Sequence, residues 1–254
     1  MTALAPHITA FFRQRLPLER MASPHTCDSY AYAFRLLFAF ASRRLRMPPS
    51  ALQLENIDAK MVLAFLEDLQ SSRTNGARTR NARLTAIKSF MHFVEHRVPG
   101  AIEQIRRVLA IPNQKTDQRL IDHLDAQQCQ AILDAPDPTT RPGIRDRAML
   151  HVCITAGLRV SELVGLQLGD VTFTARYVDL RVRGKGRKER ILTLWKAVAG
   201  SIQAWLAVRG KPSVAALFLN ARGSEMTRAG FEYLLRKHVA DARTRCPTLR
   251  GKRI

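Results

Sequence analysis

Two cations in this 254-residue sequence stand where chemistry on a phosphate can happen. Arg159 follows Gly157 in Thr155-Ala-Gly-Leu-Arg-Val-Ser-Glu-Leu163, at a glycine-containing break between two helical runs. There the backbone is open and a planar guanidinium fork can take two phosphate oxygens. Lys185 lies between Gly184 and Gly186 in Val182-Arg-Gly-Lys-Gly-Arg-Lys-Glu-Arg190. An ammonium on a turn can stabilise developing charge or give a proton to a leaving oxygen. If both groups converge on one spot, the chemistry is phosphoryl transfer. Taken singly, each has a plainer reading: an arginine paired with Glu162 or solvated, and a solvated turn lysine. Gly184-Lys185-Gly186 is not a Walker loop, because the spacing is wrong and no Ser or Thr follows for magnesium.

The elements that must hold these residues are mostly helical. Val160 to Leu166 reads as a short helix after the break at Gly157. Val171 to Phe173, Tyr177 to Val182 and Arg190 to Leu194 alternate with β-branched residues, predicting a small antiparallel sheet with a glycine-flanked turn. Ile144 to Ala156 is a largely buried helix, the segment from Asp134 to Gly143 a loop, and Asp125 caps a short helix to Leu133. Lys196 to Val208 is helical, Ala216 to Leu219 a further strand, and Thr227 caps a helix to about Ala240.

Upstream, Ser23-Pro24 reads as an N-cap with proline at the first helical position, opening a helix to about Arg46. Asp58 caps a second, and a third carries Leu84, Ile87, Met91 and Val94 as its apolar stripe. A short helix spans Ala101 to Leu109. Ile111 to Gln118 has a proline, polar residues and no periodicity, so it reads as a linker. The fold class is mainly α (α+β): an N-terminal helical domain over 1–110, a linker over 111–120, and a second domain over 121–254 made of helices with a small antiparallel sheet.

The formal charge of +20 is spread over both halves of the chain, and such a surface faces a polyanion, most often nucleic acid. No apolar run approaches the roughly 20 residues needed to span a bilayer, and Arg13 and Arg15 interrupt any signal-peptide core after Phe11-Phe12. The reading is a cytoplasmic protein. The four cysteines form no CxxC pair, which argues against structural zinc. His92 and His96 flank Glu95 on one helix, but the order is not HExxH and no third ligand is evident, so no metal is assigned.

The string TAGLRVSELVGLQLGDV, then a strand, then VRGKGRKERILTL, resembles the tyrosine site-specific DNA recombinases of the phage-integrase and Xer-like type. The resemblance extends over nearly the whole chain. The helical N-terminal region looks like that family's core-binding, SAM-like domain, and FLNARGSEMTRAGFEYLLRK is similar to a later catalytic-domain helix. It implies DNA cleavage and rejoining through a 3′-phosphotyrosine, with no metal, ATP or other cofactor, on double-stranded DNA. It also implies a tetramer on two DNA sites. By matching motifs, Arg159 is the arginine that clamps the phosphate, Lys185 the general acid for the 5′-oxygen, and Glu162 the acid that supports the arginine. Arg80, Lys88, Arg181, Arg183, Arg187, Lys188, Arg190 and Arg228 are the candidate DNA-backbone contacts.

The sequence departs from the family pattern near its end. The family places an HxLRH box, a His or Trp, and then the nucleophilic tyrosine after the helix that ends near Ala240. Leu249-Arg250 echoes the centre of the box, but Pro247 and Gly251 occupy its two histidine positions. Tyr30, Tyr32, Tyr177 and Tyr233 all precede the nucleophile's position. The expectation is a C-terminally truncated recombinase that does not cleave DNA by itself. The alternatives are a non-catalytic DNA-binding or interfering module and, more remotely, an RNA-binding protein.

Overall fold

The structure is a computed structural model that describes residues 2–117, 123–184, 188–210 and 213–252. The chain divides into two compact units, Met1–Arg119 and Leu120–Ile254.

The first unit is helical. Helix α1 spans Leu4–Ala10 and runs into a π-helical stretch, Phe11–Glu19. In a wide π turn residues five apart share a face, and Phe11 and Leu16 are both buried. The sequence predicts no element here, because a five-residue repeat with Pro17 inside it matches neither the helical nor the strand period. Helix α2, Pro24–Leu45, starts where Ser23 Oγ accepts from the Thr26 amide and stops at Arg46 in the left-handed region. Helix α3, Ala59–Ser71, starts at Asp58, whose Oδ1 accepts from the Met61 amide at 2.7 Å. Helix α4, Ala77–Glu95, buries Leu84, Ile87, Met91 and Val94, and α5, Ile102–Leu109, buries Ile105 and Val108. Rings of Phe11, Phe34 and Phe90 meet at the centre, the last 5.4 Å from each of the other two.

The start of the linker is fastened to this unit. Asn81 pairs with the backbone of Gln114 in both directions, and the side-chain amides of Gln70 and Gln114 form a reciprocal pair at 2.9 and 3.0 Å. Arg80, 6% exposed, donates to the carbonyl of Pro112.

In the second unit α6, Ala126–Leu133, opens on a capping box between Asp125 and Gln128. Helix α7 runs from Arg141 to Ala156, earlier than the expected start at Ile144. Thr140 Oγ1 accepts from the Gly143 amide, and Pro142 in the first turn forfeits only an amide with no intrahelical partner. Gly143 is required there, since a Cβ would lie 1.9 Å from the Asp137 carbonyl oxygen. The helix ends at Gly157, φ +58°, and α8, Val160–Val164, follows.

Strands β1 (Val171–Phe173), β2 (Tyr177–Arg183) and β3 (Glu189–Trp195) form an antiparallel sheet in the order β1-β2-β3. Its inner face buries Val178, Leu180, Val182 and Leu194. Helix α9, Lys196–Arg209, follows directly. Ala216–Leu219, expected as a strand, is buried chain held by single bridges, Gln167 with Ala216 and Leu219 with Glu225. Its carbonyls are spent elsewhere: Trp205 Nε1 donates to Leu217, and Arg209 to Ala216 and Leu217. Helix α10, Arg228–Arg245, is capped by Thr227 and is a turn longer than expected.

Between α7 and α10 lies a buried polar group of Arg145, Asp146 and His238. Arg145 donates twice to one oxygen of Asp146, and His238 Nε2 stands 2.9 Å from the other. No described helix is long and apolar enough to cross a membrane.

Candidate functional site

The centre of the site is the carboxylate of Glu162, whose side chain is 4% exposed. Glycine at 157 lets the chain reverse from α7 into α8, and Arg159 becomes the N-cap of α8 with Glu162 one turn on. A carboxylate at that position reaches back to the N-cap amide and sits at the positive end of the helix. Glu162 Oε2 accepts the Arg159 amide at 3.0 Å, and Oε1 accepts Arg159 Nη1 at 2.9 Å.

A second arginine reaches the same acid from β3. Arg190 Nη1 donates to Oε1 at 3.2 Å and Nη2 to Oε2 at 3.0 Å. Each carboxylate oxygen therefore takes one hydrogen bond from each arginine or its amide. The Arg190 hydrogen bonds hold the Glu162 carboxyl down at about 2; burial opposes this, and the Arg159 amide and guanidinium reinforce it. Glu162 is an anion at any working pH.

The two arginines present different faces. The Arg159 side chain is 70% exposed, so Glu162 grips one end of the fork while the remaining donors face solvent. That is the geometry of an oriented anion receptor. Lys185 and Arg187 lie outside the described residues. The base of their hairpin is described, and it packs on the same carboxylate: a Cβ at Gly184 would lie 3.4 Å from Glu162 Oε1 and 3.3 Å from Arg190 Nη1.

The remaining candidate DNA contacts fall into distinct settings. Arg181 and Arg183 both lean on Asp170, a buried acid, at 3.4 and 3.6 Å, and Arg183 also donates to Glu189. They are exposed cations with fixed directions. Lys188 is exposed beside them. Arg228 pairs with Glu232 at 2.7 Å on the α10 surface. Lys88 lines a cleft of about 310 Å³ with Arg15, Arg20, Tyr30, Ser89 and Asn113. Arg80 is the exception, being buried under the linker rather than open to a ligand. His92 is an exposed residue 3.5 Å from Glu95.

Sequence reasoning missed two relationships: Asp170 aims two arginines of the hairpin, and the grip of Arg190 on Glu162 crosses 28 positions. An acid spaced three residues after an arginine signals the cap, but nothing local signals its second partner.

The profile of the Phage integrase family matches residues 122–251, and that of the Phage integrase N-terminal SAM-like domain matches residues 8–97. The putative integrase/recombinase y4rC of Sinorhizobium fredii is 43% identical over 99% of this chain and 76% of its own length. Its companion y4rD is 39% identical over 99% and 90%. The tyrosine recombinase XerC of Pelobacter propionicus is 35% identical over 94% and 76%. Among solved structures, the XerH site-specific recombinase bound to its palindromic difH substrate superposes with a TM-score of 0.67 at 20% identity, covering 92% of this chain and 66% of that one. A lambda integrase tetramer bound to a Holliday junction gives 0.63 at 15%, covering 94% and 63%. At those identities the superpositions speak for the fold alone. The sequence matches do more, and with them the chain belongs to the phage integrase family of tyrosine recombinases.

Proposed function

We propose that this chain binds double-stranded DNA in site-specific recombination and integration, in the cytoplasm, and that Arg159 receives the scissile phosphodiester. The observation that carries this reading is the buried Glu162 holding one end of an otherwise exposed Arg159 guanidinium. Arg159 meets two phosphate oxygens and neutralises charge that grows on them as phosphorus becomes five-coordinate. Where a tyrosine hydroxyl is brought to that phosphorus, its oxygen bonds to phosphorus as the 5′-oxygen leaves with a proton from Lys185, and Glu162 fixes the fork without touching DNA. Lys88, Arg181, Arg183, Lys188 and Arg228 contact the flanking backbone, with Asp170 limiting the directions that two of them can take. The assembly in this reading is a tetramer on two DNA sites.

The attacking hydroxyl is a separate matter. Tyr30 and Tyr32 sit on α2, Tyr233 on α10, and Tyr177 begins β2, about 20 Å along the strand from Arg183. None of the four has a hydrogen bond to Arg159, Glu162 or Arg190 among the described residues. We assign phosphate binding to residues 1–254 and no nucleophile among them.

Two measurements test this. Titration of the chain with duplex DNA over a salt series should give tight binding that weakens steeply with salt. Preference for structured RNA over duplex would overturn the substrate. A nicked suicide duplex should trap no covalent adduct on residues 1–254. An adduct would make one of those tyrosines the nucleophile.

A further inference from the structure

We infer that Arg190 is a positioning residue rather than a phosphate contact: it clamps the base of the β2–β3 hairpin to Glu162 and so fixes Gly184 beside the carboxylate that also holds Arg159. The inference rests on the phosphate-binding reading of Arg159.

Three features carry it. First, both terminal nitrogens of Arg190 donate to Glu162, one to each oxygen, and its side chain is 40% exposed against 70% for Arg159. A two-pronged bond fixes direction as well as distance, which one ammonium cannot do. Second, Arg190 is the cross-strand partner of Val182, which is fully buried, and cross-strand partners share a face. Arg190 is therefore on the inner side of the sheet, at its margin. Arg181 and Arg183 alternate to the outer side. Third, the turn closes at the clamp. The Gly184 amide donates to the Lys188 carbonyl at 2.8 Å, and the open side of Gly184 lies against both Glu162 and Arg190. The hairpin cannot tilt at its base without separating Arg190 from the carboxylate that also holds Arg159.

Loss of the clamp should therefore show as a loosened hairpin base with binding preserved, whereas loss of a phosphate contact shows as weaker, less salt-sensitive binding.

The test compares wild type with Arg190→Gln, Arg190→Lys, Glu162→Gln and the Glu162→Gln/Arg190→Gln double variant. In residues 1–254, amide hydrogen exchange at Gly184 should rise at least tenfold in Arg190→Gln. It should rise no further in the double variant than in Glu162→Gln alone, because the two side chains act as one unit. Duplex affinity of Arg190→Gln should stay within about threefold of wild type, with the same salt slope. Arg190→Lys should not restore the protection at Gly184, because one ammonium cannot bridge both oxygens of Glu162.

Unchanged exchange at Gly184, a salt slope reduced by about one in Arg190→Gln, or full rescue by Lys would each overturn the clamp. If the wild type bound no duplex, the reading of Arg159 would fail instead, and the exchange experiment would still decide the role of Arg190. Should Arg190→Gln fold poorly, Arg190→Lys supplies the same exchange comparison with the charge retained.

Discussion

His238 on α10 and Asp146 on α7 meet at 2.9 Å across 92 positions of sequence, and the other oxygen of Asp146 is filled by two donors from Arg145. All three side chains are buried, so this is a polar bolt through the apolar core of the second unit. Removing the acid strands a cation with its desolvation uncompensated. Asp146→Ala should lose about 3–5 kcal/mol, read by urea unfolding of the second unit. A loss under 1 kcal/mol would mean that water reaches Arg145.

Arg159 should separate function from stability. Its side chain is 70% exposed, and without it the buried Glu162 keeps the residue-159 amide and both donors of Arg190, so Arg159→Ala should change stability by only about 1 kcal/mol. With the family's tyrosine-bearing segment fused after residue 254, the same change should abolish strand cleavage while duplex affinity falls only a few-fold. Parallel loss of affinity and cleavage would make Arg159 an ordinary backbone contact.

Glu162 sets an acid limit. Its folded value near 2 lies below the ordinary glutamate value of 4.5, so the folded state favours the ionised form. The stability it contributes is fully present above about 4.5 and is lost as pH falls from there through about 2. Wild type should therefore lose more stability across that window than Glu162→Gln, compared by thermal melts at stepped pH. Identical pH profiles would contradict the arginine grip.

Gly143 tests the early start of α7. With a Cβ 1.9 Å from the Asp137 carbonyl oxygen, Gly143→Ala must shift the loop before the helix. A cost of about 1–3 kcal/mol is expected from forced overpacking, although alanine favours helix intrinsically. A more stable variant would refute the contact.

Arg80 and Lys88 lie on the same helix and should behave oppositely. Arg80→Ala should loosen the linker anchor at Pro112 and speed proteolysis near residue 114, with the salt slope of DNA binding unchanged. Lys88→Ala should reduce that slope by about one and leave the linker protected. An exchange of these two phenotypes would restore Arg80 as a phosphate contact.

The chain's organisation was legible where local rules decide it. Ser23, Asp58, Asp125 and Thr227 each cap the helix their positions announce. The alternation around Gly184 foretold β2 and β3 to within a residue of their ends. What stayed hidden depends on tertiary partners. The π-helical stretch from Phe11 buries a five-residue spacing that no usual template contains. Arg80 has the sequence surroundings of a surface cation, yet the linker at Pro112 folds over it. Ala216–Leu219 has strand-like residues, but Arg209 and Trp205 occupy carbonyls that a ladder would need. At the site, Arg159 and Glu162 could be paired from their spacing, whereas Arg190 read equally well as a DNA contact because its tether to Glu162 is non-local.

One carboxylate shared by two guanidinium groups also fixes an electrical stoichiometry. Arg159, Arg190 and Glu162 together carry a single net positive charge, and a phosphodiester linkage carries a single negative one. The proposed complex is therefore neutral at its centre before reaction. The second negative charge, which exists only while phosphorus has five neighbours, has no counterion in that trio. On the proposed reading, a hairpin cation would be reserved for the fleeting species, and substrate would gain little from it beforehand.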